Sequence, residues 1–317
     1  MEGGGSKAVI LIALGCNLGI AVAKFVAAAW TLSSAMLSEA IHSLVDTANQ
    51  GLLLLGITRA KRPPDEQHPF GYSREIYFWS FIVAMVLFSL GAGVAIYEGI
   101  NKILEPHPLQ NVGVLYAVLG VAIVLEGYSL LKALREFKAR PESRHGFLEA
   151  LRRSKDPSLF AIVLEDIAAM LGLMIALAGT LVADFGGFEM ADGIASILIG
   201  FVLAGVAAFM SVEIKSLIVG EAASRVVQAG LREIIASETG ATKPIRKINE
   251  IRTMHLGPHD VLVTASVDFH DGASAKTVEA VTAILQNAIK SRFPDVRHLF
   301  IEVQAEDTFA PAAVTLH

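Results

Sequence analysis

Six stretches of this chain are apolar over a length that can cross a bilayer, and nothing else in the sequence restricts the fold as much. They run over about 7–30, 33–58, 76–104, 111–134, 157–183 and 189–218 of the 317 residues. A hydrocarbon core about 30 Å thick takes roughly 20 helical residues. Within it each backbone N–H and C=O must find its partner inside the chain. The six stretches are therefore read as transmembrane helices. The 18% of residues that are charged fall well short of the ~25% of a soluble domain. Lys7 followed by an apolar run imitates a signal peptide, but no small-residue cleavage site is clear, so 7–30 is read as the first span. The N-terminus has no Arg-rich presequence, which points to a bacterial inner membrane rather than an organelle. Cys16, the one cysteine, excludes intramolecular disulfides and Cys-rich zinc sites and is read as a small apolar filler.

Loop charge sets the orientation. Arg59, Lys61, Arg62 and Arg74 follow the second span; Lys132, Arg135, Lys138, Arg140, Arg144, Arg152, Arg153 and Lys155 follow the fourth. The turns after the first, third and fifth spans hold no Lys or Arg. The basic loops are then cytoplasmic, and six spans leave both termini on that side. Beyond about residue 220 the chain turns polar. An amphipathic helix over 223–238 precedes strands Ile248–Leu256 and Val261–Phe269, joined by the hairpin turn Gly257-Pro258-His259-Asp260. A helix from Ala275 to Phe293, capped by Ser274 and stopped by Pro294, leads to a last strand, Leu299–Gln304. That order is a small α+β module of the ferredoxin-like type. The expected organisation is a six-helix membrane domain over 1–219, a cytoplasmic ferredoxin-like domain over 220–308 and a flexible tail over 309–317.

Ionisable groups inside the spans carry the functional signal, because they are costly in hydrocarbon. In the second span Ser38-Glu39-Ala40-Ile41-His42-Ser43-Leu44-Val45-Asp46 sets an imidazole and a carboxylate four residues apart, on one helical face. Glu165 and Asp166 lie in the fifth span. Adjacent helical residues point about 100° apart, so the two need not share a site. Asp46 and Asp166 meet near mid-bilayer if their helices pack. His42, Asp46 and Asp166 then make three ligands for a tetrahedral zinc, with Glu165, water or another group as the fourth. The alternative is a hydrogen-bonded helix cluster without metal. Glu39 either lines an exit path or sits near the interface; Asn49 and Gln50 can line an inner vestibule. Lys24 is expected to snorkel to the interface. Glu98 and Glu126 are placed near helix ends, and Asp192 is read as a helix-start charge.

The spans, the tail, the Ser38–Asp46 motif and the loop segment His68-Pro69-Phe70-Gly71-Tyr72 resemble the cation diffusion facilitator family. His68 to Trp79 and Leu164-Glu165-Asp166 are most similar to its zinc transporter nine-like subgroup. The resemblance implies two ligands, four residues apart, on each of the second and fifth helices. Here Ile162 stands where the second ligand of the fifth helix would be, so three of the four transport ligands carry over: His42, Asp46 and Asp166. Fewer nitrogen ligands relax the preference for Zn2+ over Mn2+, Fe2+ or Co2+. The resemblance also implies a loop metal site, for which Asp65 and His68 match while Tyr72 replaces a histidine. It implies a sensing site at the last strand, which here reads Ile301-Glu302-Val303. His255, His259, His270 and His298 are scattered through the module and read as surface histidines. A homodimer through the third and sixth helices and the tails is implied as well. Gly200 and Gly205 in the sixth span permit close helix contacts.

What the resemblance implies in function is a proton-coupled antiporter that exports a divalent cation, Zn2+ first, with H+ as counter-ion. Metal binding needs neutral His and ionised carboxylates, so it displaces protons. Three rivals stand beside it. A channel would spread its polar residues along a path rather than gather them at one depth. An intramembrane metalloenzyme would need a His-Glu-x-x-His helix, which the sequence lacks. A non-transporting, metal-responsive membrane scaffold is the third. No enzyme activity and no nucleic-acid partner are expected.

Overall fold

The computed structural model describes residues 3–138 and 146–309, with side chains from Asn17 onward in the first helix. Cys16 and Lys7, the side chains of Arg140, Arg144, Arg152 and Arg153, and the tail from 310 lie outside what is described. The chain forms two compact units. One comprises Met1–Ala60 with Glu75–Lys215, the other Lys61–Arg74 with Ser216–His317.

The first unit is helical. Helices α1 (Gly3–Thr31) and α2 (Ser34–Ala60) reverse across Leu32, which takes a left-handed φ of 54°. That conformation is uncommon for Leu. It is held here because Lys102 Nζ donates to the Leu32 carbonyl at 2.7 Å. Ser33 then caps α2 by accepting from Met36 N at 3.0 Å. Glu75–Val86 (α3) and Gly93–Leu104 (α4) form one continuous span. The sequence reading has it as an uninterrupted α-helix, but a π-helical turn, Leu87–Ala92, joins the two. Next comes α5 (Val112–Lys138) and then α6 (Phe147–Arg153), a short helix in the basic loop that the sequence did not announce.

Helix α7 (Pro157–Gly186) shows its limits plainly. Asp156 caps it by accepting from Ser158 N, Pro157 opens it, and Gly187 ends it in the left-handed conformation. Helix α8 (Met190–Val219) packs so closely on α4 that a Cβ on Gly99 would lie 2.6 Å from the Gly193 carbonyl oxygen. Only glycine permits that approach. Four segments, Glu75–Leu104, Val112–Lys138, Phe160–Gly186 and Met190–Val219, are long and apolar enough to cross a membrane. Helices α1 and α2 occupy the other two stretches. The part of α1 whose side chains are described, Asn17–Thr31, is apolar but shorter. Helix α2 is as long as two of the four but carries the polar residues of the Ser38–Asp46 motif. The protein is an integral membrane protein of helical type.

The second unit holds α9 (Arg225–Ser237), β1 (Ile245–Gly257), β2 (Asp260–Phe269), α10 (Ala275–Arg292) and β3 (Val296–Val303). The sheet order is β1-β2-β3, with β1 and β2 antiparallel across the tight Pro258-His259 turn and β2 and β3 parallel through α10. Period-two alternation puts Val263, Ala265 and Val267 inward, where Leu231 and Ile235 of α9 and Val281, Leu285 and Ile289 of α10 close the core. Strand β3 starts earlier than its apolar pattern suggests because Val296 is buried and pairs with Val261. The loop 61–74 belongs to this unit. Phe70 meets His298 and Phe300 edge-on, at 5.2 and 6.3 Å between ring centroids, and Ser73 Oγ donates to Asp260 at 2.7 Å.

Candidate metal site

The i, i+4 spacing on α2 does what the sequence predicts: His42 Nδ1 stands 3.4 Å from Asp46 Oδ1. Asp46 borders a cavity of about 80 Å³ between α1, α2, α5 and α7. Glu165 and Asp166 of α7 border the same cavity, as does Gln50 of α2. Asp166 accepts from Ser129 Oγ at 3.0 Å, and Glu165 accepts from Asn49 Nδ2 at 2.7 Å. Ile162 lies on the wall too.

The structure departs from the expected ligand set. His42 is fully buried and is not on the cavity wall. Among the described residues no three His, Cys, Asp or Glu side chains converge on one point that could hold an ion. The reason lies in the local partners. Glu165 is drawn to Asn49 and Asp166 to Ser129, so the two turn towards different helices. What remains is a set of buried atoms without hydrogen-bond partners: Asp46 Oδ1, both ring nitrogens of His42, and Asn49 Oδ1. A buried polar atom left unpaired costs about 1–3 kcal/mol. Asp46 Oδ1 and the unprotonated nitrogen of a neutral His42 ring are acceptors that suit a divalent cation.

Four other residues stand differently from their sequence readings. Lys24 does not snorkel: its ammonium is buried, 2.7 Å from Ser43 Oγ and 3.4 Å from Glu39 Oε2. Glu39 is therefore not at an interface but in a buried ion pair. A Cβ on Gly172 of α7 would collide with its Oε1, so only glycine leaves room for the carboxylate. Asn49 does not open on a vestibule; it is buried against Glu165. Glu126 sits near the middle of α5, not at an end, and borders the cavity. The signal for the Lys24 pair was present in the sequence, since a lysine deep in a span demands a partner. The partner's identity was not.

Asp192 is more than a helix-start charge. It is fully buried and accepts from Ser33 Oγ, Ser34 N and Ser34 Oγ at 2.5, 2.6 and 2.9 Å.

In the second unit Asp65 and His68 stand together, with Nδ1 to Oδ1 at 3.5 Å and both side chains half exposed. Asp65 is already committed. It accepts from Gln67 N at 3.0 Å, His68 N at 2.7 Å and the Tyr72 hydroxyl at 2.6 Å. The hydroxyl of Tyr72, foremost, and then the His68 N–H hold its carboxyl below the usual 3.8. A carboxyl depressed in the folded loop favours that loop at pH above 3.8, and the preference is lost as pH falls through the lowered value. Tyr72→Phe is expected to bring the Asp65 pKa back up towards 3.8, read by carboxyl NMR titration. An unmoved titration would refute the assignment.

The module histidines do not converge. His255 is buried against its own turn, 3.1 Å from the Gly257 oxygen, so it is no surface histidine. His259 faces Asp295 at 3.4 Å, His270 the Gly240 oxygen at 3.0 Å, and His298 Asp260 at 3.6 Å.

Comparison with known proteins gives the context. The family model for the cation efflux transmembrane domain matches residues 10–219. The mouse (Mus musculus) proton-coupled zinc antiporter SLC30A9, mitochondrial, is 31% identical over 338 residues, covering 94% of this chain and 59% of that protein. Metal tolerance protein C4 of Arabidopsis thaliana is 31% identical over 268 residues, covering 84% and 57%. The metal cation efflux system protein CzcD of Cupriavidus metallidurans is 27% identical over 198 residues, covering 62% and 57%. The chain thus spans somewhat more than half the length of these relatives. With a membrane domain matched almost from end to end, the chain belongs to the cation efflux, or cation diffusion facilitator, family.

Proposed function

We propose that this chain is a transporter, not an enzyme, and that it exports divalent cations from the cytoplasm in exchange for protons, with Zn2+ as its first substrate. The observation that carries the reading is the His42–Asp46 pair, 3.4 Å apart and without hydrogen-bond partners at the His42 ring and Asp46 Oδ1, beside an acid-bordered cavity. Relatives named as a proton-coupled zinc antiporter and as a cation efflux protein support it. Asp46 and Asp166 bind the cation from the cavity. Glu165 joins them by leaving Asn49, and His42 by a turn of α2 that brings its ring to the wall. Gln50 borders the approach. Cation entry requires ionised carboxylates and a neutral imidazole, so protons leave as it binds; their return from the other side expels it. In the same proposal α1 and α2 complete six spans, the basic loops and both termini are cytoplasmic, the C-terminal sheet is a ferredoxin-like module, and the working unit is a homodimer.

A second reading concerns the cargo. The wall of the cavity presents carboxylate, amide and hydroxyl oxygens, and oxygen ligands suit harder ions. Mn2+, Fe2+ or Co2+ would then be carried by the same route. Purified protein in vesicles, with an internal metal indicator and an imposed proton gradient, tests both readings. Zinc uptake that collapses with the gradient is expected. No gradient-dependent movement of any of the four ions would refute the antiporter.

A further inference from the structure

We propose that Lys24 is a built-in counter-cation of the transport cavity, a positioning residue that holds the affinity for the cargo low enough for release. The inference rests on the reading of the cavity as the transport site. Lys24, on α1, is completely buried. Its Nζ donates to Ser43 Oγ at 2.7 Å, and Ser43 lies on the cavity wall. It stands 3.4 Å from Glu39 Oε2 and 3.9 Å from Glu126 Oε1. Glu39 faces away from the cavity against Gly172, whereas Glu126 borders it together with Asp46, Glu165 and Asp166. One ammonium thus bridges a carboxylate behind the wall and a carboxylate on it.

The consequence is electrostatic. Four carboxylates around so small a space would hold a divalent cation tightly, and tight binding slows release; a conducting or transporting site must bind weakly enough to let go. A fixed positive charge beside Glu126 opposes the cation through a medium that screens poorly. Lysine also cannot leave as the cargo does, so the wall keeps a counter-charge after the ion has gone. The pair binds α1 to α2 as well, and that merely structural role would change stability without changing affinity.

The test uses the full chain in detergent for zinc titration calorimetry and in vesicles for flux. Lys24→Gln is expected to lower both the zinc Kd and the KM about tenfold and to slow turnover, while Lys24→Arg stays near the parent. Lys24→Gln leaves Glu39 buried without its partner, which threatens folding. Lys24→Gln combined with Glu39→Gln removes that strain and should still tighten binding, because Glu126 has lost its counter-charge. Unchanged or weakened zinc affinity in both charge-removing variants would overturn the proposal. Asp46→Ala separates the two claims. Unchanged zinc binding there removes the cavity reading and this proposal with it; lost binding there, beside unmoved Lys24 variants, removes the proposal alone.

Discussion

Asp46→Ala is expected to bring the proposed proton-driven zinc flux down to that of protein-free vesicles. Changing a residue that only supports a metal ligand typically costs 10–100-fold, so loss of a direct ligand is expected to cost at least about a hundredfold. Asp46 is the strongest candidate for that role because of where its oxygens stand. Oδ1 is buried without a hydrogen-bond partner, 3.4 Å from His42 Nδ1. Asp166 is oriented by Ser129 and Glu165 by Asn49, each through one carboxylate oxygen, so part of their acceptor capacity is already used. Asp166→Ala is therefore expected to fall less far than Asp46→Ala. Asp184→Asn is the control. That residue is exposed and accepts the Tyr116 hydroxyl at 3.2 Å, and a surface change of this kind shifts rates by no more than about twofold. Zinc flux that survives Asp46→Ala would remove Asp46 from the site whatever the protein transports.

What could be read from the sequence was whatever depends on one helix at a time. Helical period alone put His42 and Asp46 on a single face, and hydropathy alone delimited the segments around them. The C-terminal strands followed from alternation, and helix α10 from Ser274 and Pro294. Properties that need two helices were harder to see. Glu126 lies some eighty residues from Asp46 in sequence, and only the packing of α1, α2, α5 and α7 around one cavity brings the two together. Lys24 reads as interfacial from its own helix: a lone lysine in a span has two outcomes, snorkelling or pairing, and the choice depends on whether a carboxylate stands opposite. Glu39 does, fifteen positions along the chain. Tyr72 looked like a missing ligand, yet its hydroxyl fastens Asp65 into the loop. Side-chain partners across elements are set by packing, and one sequence holds no direct record of them.

Packing also governs the largest stability effect expected. Asp192→Ala is expected to lower the stability of the folded chain by about 3 kcal/mol or more, because three buried donors each lose an acceptor at about 1–3 kcal/mol apiece. Asp192 opens α8 but serves α2. Its two oxygens accept from Ser33 Oγ, Ser34 N and Ser34 Oγ, so a carboxylate on one helix caps the start of another. The first N–H groups of a helix have no partner within it, and a negative charge there is favoured by the helix dipole. Alanine leaves the Ser34 N–H and two hydroxyls buried without an acceptor. The same junction is tied by Ser38 to Ser196, 2.6 Å between hydroxyl oxygens, and by Ser196 to the Ala95 carbonyl at 2.7 Å. The start of α2 is thus anchored on α8, and α2 carries Asp46. Asp192→Asn keeps one acceptor oxygen and the volume, so it should cost less, about 1–2 kcal/mol. Unfolding of the purified variants in detergent, followed by circular dichroism, measures both. A midpoint for Asp192→Ala equal to the parent's would show that α2 needs no cap from α8, and an Asn variant as damaged as the Ala variant would show that the charge, not the hydrogen bonds, holds the junction.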